Sequence, residues 1–149
     1  MKCIRLLLFI ALLLGPAPVW AQMEACQVQA IPMAFGGGYD AIGSAPLHGN
    51  GQVTVTCSQP AIVRLGPGQH SDGTFSPRKM RMVSGGVTLD YNLYLDPTYT
   101  RIWGDGSTST FILNASPGTN TLTIYGQITG GQRVPTGMYQ DLIVISVEW

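Results

Sequence analysis

Beyond residue 21, apolar residues alternate with polar ones at a period of two, and the alternation is broken by clusters of Gly, Pro, Asn and Asp. The 3.6-residue recurrence of an amphipathic helix is missing from this part of the chain, so the pattern predicts an all-β protein. In residues 52–57, Val53, Val55 and Cys57 fall on one side and Gln or Thr on the other, the signature of a half-buried strand. Residues 89–96 repeat the pattern, with Leu89, Tyr91, Leu93 and Leu95 on a core face and Asp90, Asn92, Tyr94 and Asp96 on a wet one. Further strands are expected at residues 26–35, 61–65, 80–82, 111–113 and 122–128. Gly36 through Gly51 reads as a flexible connection ending in an Asn50-Gly51 turn, residues 66–77 as a loop, and residues 103–106 as a turn.

The segment from Tyr139 to Trp149 carries the most information. Ile143, Ile145, Val147 and Trp149 share one face, while Leu142 and Val144 on the other give way to Ser146 and Glu148. Short, evenly spaced strands predict an immunoglobulin-like sandwich of about seven. The sequence stops inside this strand, so the sandwich is expected to be incomplete and to lack its last strand. A long apolar edge left in that way is a template for another chain.

The first residues combine basic Lys2 and Arg5, an apolar run from Leu6 to Leu14, a Gly15-Pro16 break and a permissive Val19-Trp20-Ala21 end. This reads as a secretory signal peptide over residues 1–21, with a single domain over residues 22–149. An apolar run this short falls well below the roughly 20 residues that span a bilayer, so no membrane span is expected. Removing Lys2 and Arg5 takes the basic residues from 8 to 6 against 8 acidic, without a basic cluster, which disfavours nucleic acid as a partner. Only 11% of residues are charged, while 19 are Gly and 10 are Pro, as suits a protein of many turns with an association-prone surface. Cys26 and Cys57 remain once Cys3 leaves with the signal. In an oxidising compartment they are expected to pair, and the nearby His or further Cys of a zinc site is absent.

Nothing in the remaining residues assembles into a catalytic constellation. His48 and His70 lie in Gly- and Pro-rich surroundings, and Ser71-Asp72 beside His70 lacks the rigid support a nucleophile and its base require. Gly36-Gly37-Gly38 has neither the spacing nor the following helix of a phosphate loop, and Asp105 between two glycines is sufficiently explained as a turn residue. Tyr139-Gln140-Asp141 reads as a tyrosine corner entering the last strand. Trp103 and Tyr99 suit either a buried anchor or an exposed adhesive patch. The protein is therefore expected to be no enzyme and to need neither cofactor nor metal.

Several stretches taken together resemble the spore coat protein U domain family, which includes the subunits of archaic chaperone-usher pili. They are Cys26 with Phe35-Gly36 and Tyr39-Asp40; Gly51 through Cys57; Arg78-Lys79-Met80; Leu89 through Asp96; Trp103-Gly104-Asp105-Gly106; Tyr125-Gly126-Gln127-Ile128; and Gly137 through Asp141. The resemblance implies an immunoglobulin-like pilus or coat subunit that lacks its last strand. A periplasmic chaperone would lend that strand, an outer-membrane usher would assemble the subunit, and a neighbouring pilus or coat subunit would then supply the strand permanently. The expected acceptor groove is lined by Ile143, Ile145, Val147 and Trp149, and the expected destination is the cell surface or a fimbrium. With cleavage after Ala21, Gln22 through Ala25 make too short a tail to donate a strand, so an acceptor-only position at a fibre tip is expected. The alternative is a self-complete secreted binding module, for carbohydrate for example, that does not polymerise.

Overall fold

The computed structural model describes residues 26–149, so the expected signal peptide and the start of the domain at residue 22 lie outside the described residues. Nine strands follow one another: β1 (Cys26–Ala34), β2 (Leu47–Cys57), β3 (Ala61–Leu65), β4 (Arg78–Met82), β5 (Thr88–Tyr94), β6 (Leu113–Ala115), β7 (Gly118–Ile128), β8 (Tyr139–Gln140) and β9 (Ile145–Glu148). Among the described residues there is no helix. The strands form a six-stranded sheet in the order β1-β2-β7-β5-β4-β8 and a three-stranded sheet in the order β6-β3-β9, with every ladder antiparallel. The all-β reading holds. The strand number exceeds the expected seven in part because the last segment, read as one strand, divides into β8 on the large sheet and β9 on the small one.

The alternation seen in sequence becomes the core. Val53 and Val55 from β2, Val63 and Leu65 from β3, and Leu89, Tyr91 and Leu93 from β5 are all buried between the sheets. Trp103 is completely buried there and donates its indole N–H to the Val63 carbonyl at 3.1 Å, so it is an anchor of the sandwich and not part of an adhesive patch. Its ring supplies apolar bulk while the one polar atom is satisfied, the condition under which a buried Trp is stable.

Two expectations about strand limits are corrected. β2 begins at Leu47, so Asn50-Gly51 lies inside a strand and His48 sits on it, not in a loop. The strand expected at 111–113 is instead β6, with Phe111 making only an isolated bridge to Trp103. The first error has a packing cause. β1 shifts register between Ile31 and Ala34, beside Pro32, which an edge strand tolerates. That irregularity lays Met33 and Phe35 across β2 and β7, where Gly49 faces Gly126 in the ladder. A Cβ on Gly126 would collide with the Met33 sulfur and the Phe35 ring, and one on Gly51 would press on Met33. These glycines are there to make room, not to turn the chain.

Candidate functional site: an apolar cleft between two strand edges

β1 is the edge of the large sheet and β9 the edge of the small one, and the two sheets part between them. The gap is a cleft of about 760 Å³. Ala30, Ile31, Met33 and Phe35 form one wall, Ile143 and Ile145 the other, and Leu65, Met80, Tyr91 and Ile124 the floor. The expected strand face thus has Ile143 and Ile145 in the cleft lining. Val147, paired with Val63, is half-buried against the core farther along β9, and Trp149 is 63% exposed just past its end.

The backbone of the second wall is as telling as its side chains. Gly66 N–H donates to the Val144 carbonyl at 2.8 Å, and Gln69 N–H to the Leu142 carbonyl at 3.1 Å, continuing the β3–β9 ladder beyond the strands. In an antiparallel pair, alternate residues turn their N–H and C=O to the same neighbour. Leu142 and Val144 therefore face β3, while Ile143, Ile145 and Val147 present theirs to the open edge. The same three residues direct side chains inward and hydrogen-bonding groups outward, which is what an incoming strand needs.

A polar clasp fixes the end of this wall. Asp141 accepts from Gln69 N–H at 3.0 Å and from the Tyr91 hydroxyl at 2.7 Å. Burial, together with the Asp141 carboxylate, pushes the Tyr91 phenol well above its ordinary range, so it stays a donor. Beside it, Arg78 on β4 is fully buried and donates to the Gly66 carbonyl from Nε and Nη2 at 3.1 and 2.8 Å, to the Trp103 carbonyl at 2.6 Å and to Asn92 Oδ1 at 2.7 Å. Desolvation lowers its pKa to about 10, which leaves it charged at neutral pH. Asn92, placed on the wet face by alternation, is buried because it completes this network. The Tyr139 hydroxyl donates to the Pro135 carbonyl at 2.8 Å, closing a tyrosine corner as expected.

The other wall is pinned at its start. Cys26 and Cys57 face each other across the β1–β2 ladder and are disulfide-bonded, with Cα atoms 4.1 Å apart. That separation is shorter than the common 4.4–6.8 Å span, in keeping with a bridge between directly opposed residues.

The spore coat protein U domain matches residues 18–146. The chain belongs to that family. Over 109 residues it is 31% identical to Protein U of Myxococcus xanthus, covering 68% of this chain and 60% of that protein. Its fold is similar to that of a chain in the crystal structure of the CsuC–CsuE chaperone–tip adhesion subunit pre-assembly complex from archaic chaperone-usher Csu pili of Acinetobacter baumannii. The TM-score is 0.57 at 19% identity, with 83% of this chain and 39% of that chain covered. The chain thus spans about 60% of one relative and less than half of the other.

The stretches that carried the spore coat protein U resemblance now have physical reasons. Arg78 is the buried fork, Gly126 the floor under Met33 and Phe35, and Tyr139 and Asp141 the corner and clasp of the last strand. What sequence reasoning missed was that Arg78 is buried and that Asp141 reaches Tyr91. An arginine at the head of an alternating Met80–Met82 strand was the available signal, because its parity places it on the core face.

The remaining candidates resolve into structure. Ser71 is buried, with its Oγ accepting from Lys79 N–H at 2.9 Å, so it serves the fold and not a triad with His70. Asp105 accepts from Ser107 N–H at 2.8 Å and Ser107 Oγ at 2.5 Å, a local turn. Those bonds hold its carboxyl below the ordinary range. Tyr99 stacks on His48 with ring centroids 4.3 Å apart. Among the described residues no group of three or more His, Cys, Asp or Glu is placed to hold a metal, and no helix is long and apolar enough to cross a membrane.

Proposed function

We propose that this protein is a structural subunit of a chaperone-usher-type pilus or surface coat, assembled by accepting a donated strand in the cleft between β1 and β9. The observation that carries the reading is the pairing of an apolar cleft with a β9 edge that has no strand partner among the described residues, in a domain of the spore coat protein U family. The inserted strand hydrogen-bonds to the free backbone groups of Ile143, Ile145 and Val147 and places alternate side chains into the cleft. Burying four or five such side chains, at about 1.5–3 kcal/mol each, gives a gross gain on the order of 10 kcal/mol before the ordering of the strand is subtracted. Trp149 extends the same face beyond the cleft.

Its partners on this reading are a periplasmic chaperone, an outer-membrane usher and sister subunits. The protein leaves the cell through the periplasm to the surface and performs no catalysis. A likeness to a chain from a chaperone–subunit complex supports the choice of partner class. Co-expression with a chaperone of an archaic chaperone-usher system tests it: the subunit is expected to accumulate in the periplasm only with the chaperone, as a one-to-one complex. A monomer that is folded, stable and indifferent to the chaperone and to strand peptides would overturn the reading in favour of a self-complete binding module. The acceptor-only place at a fibre tip is the finer part of the proposal. Labelling on intact cells is expected to mark fibre ends, and regular labelling along shafts would refute that part.

A further inference from the structure

Asp141 has the same parity as Ile143, Ile145 and Val147, and like Ile143 and Ile145 it lines the cleft. It is the charged member of an otherwise apolar wall. Its carboxylate is half-buried, and the Tyr91 hydroxyl and Gln69 N–H occupy two of its roughly four acceptor positions. Among the described residues the ion pair is Arg64 with Glu148, on the outside of the sheet, and Arg78 directs its N–H groups to Gly66, Trp103 and Asn92. Among the described residues the negative charge at this end of the cleft is therefore without a cation in direct contact.

A strand laid into the cleft removes water from the remaining acceptor positions of Asp141. An apolar neighbour leaves them desolvated and unpaired, an acidic one adds repulsion, and a lysine or arginine restores a charge-assisted hydrogen bond. We propose that Asp141 is a specificity-determining residue of the cleft, selecting strands that carry apolar side chains beside Ile143 and Ile145 and a basic side chain at the next alternate position. This rests on the strand-acceptance reading above and deepens it: the isoleucines give affinity and the carboxylate sets register and choice of partner.

The test uses the full chain and synthetic nine-residue strands with Leu or Val at alternate positions. The alternate position at one end is Lys, Met or Glu, and a second set carries the variable residue at the opposite end, so that either strand direction is covered. In one of the two sets Lys is expected to bind about tenfold more tightly than Met, and Met more tightly than Glu. The preference is expected to shrink in 1 M salt and to disappear in Asp141→Asn, which removes the charge, keeps one oxygen to accept from Gln69 N–H and turns an NH2 donor toward the Tyr91 oxygen. Comparing the peptides on the unaltered protein in low and high salt reaches the same conclusion should the variant fold poorly. Equal binding by Lys, Met and Glu strands in both sets would overturn the role of Asp141 while leaving strand acceptance intact. Failure of every strand, the all-apolar one included, would instead refute the acceptor reading and this inference with it.

Discussion

Replacing Arg78 by methionine keeps most of the side-chain volume and removes every donor. The Trp103 carbonyl, which accepts from Arg78 at 2.6 Å, is then left buried without that partner, and the half-buried Gly66 carbonyl loses its bonds at 2.8 and 3.1 Å. Asn92 Oδ1 also accepts from Leu93 N–H at 3.0 Å and is less exposed to the loss. A buried acceptor stranded in this way costs about 1–3 kcal/mol and a half-buried one less, so the two give roughly 2–4 kcal/mol, offset in part because a guanidinium no longer has to be desolvated. Set against a total stability of about 5–15 kcal/mol, this is a severe lesion. It differs from exchanging a whole ion pair for apolar residues, because the backbone carbonyls cannot be mutated away. Arg78→Lys is expected to recover little, since a single ammonium cannot fork between Gly66, Trp103 and Asn92. Urea unfolding of the oxidised full chain, with a strand peptide at one fixed concentration, measures the difference at constant ligand linkage. If Arg78→Met unfolds within about 1 kcal/mol of the unaltered protein, the fork is not what joins the two sheets at this end, and the reasoning fails.

Ile145→Asp places a carboxylate in the cleft wall and is expected to abolish chaperone capture and peptide binding; pull-down at unchanged yield would contradict the groove assignment. Gly126→Leu drives a side chain into Met33 and Phe35 and is expected to weaken strand binding by displacing the β1 wall, read as a lowered peptide affinity. Reducing Cys26–Cys57, 31 residues apart, is expected to lower stability by about 3–4 kcal/mol on the chain-entropy model, and equal urea midpoints with and without reductant would exclude it. Asp96 accepts from Thr98, Thr100 and Arg101, led by the Thr98 hydroxyl, so its carboxyl titrates well below the unfolded value of 3.8. The unfolded chain then takes up a proton that the folded chain refuses, and stability falls as the pH drops below about 4. Thermal melts of Asp96→Asn are expected to show a shallower acid slope than the unaltered protein.

Period-two alternation by itself determined the all-β class, the faces of residues 53–57 and 89–95 and the inward direction of Ile143, Ile145 and Val147 though not of Trp149, because strand side chains must alternate and burial enforces the apolar half. Two cysteines determined the disulfide, since exactly one pairing exists once Cys3 is set aside. Tertiary structure decided the rest, and each case turns on a partner distant in sequence. Gly49 and Gly51 read as part of a flexible connection until Met33 and Phe35 are laid across them. Asn92 reads as a surface residue until Arg78, 14 positions away, claims its oxygen. Asp141 reads as the end of a tyrosine corner until the Tyr91 hydroxyl, 50 positions away, meets its carboxylate at the mouth of the cleft. Local alternation fixes which way a side chain points. Which group waits for it there is set by how the two sheets pack, and a one-dimensional pattern contains that only when the partner is a near neighbour.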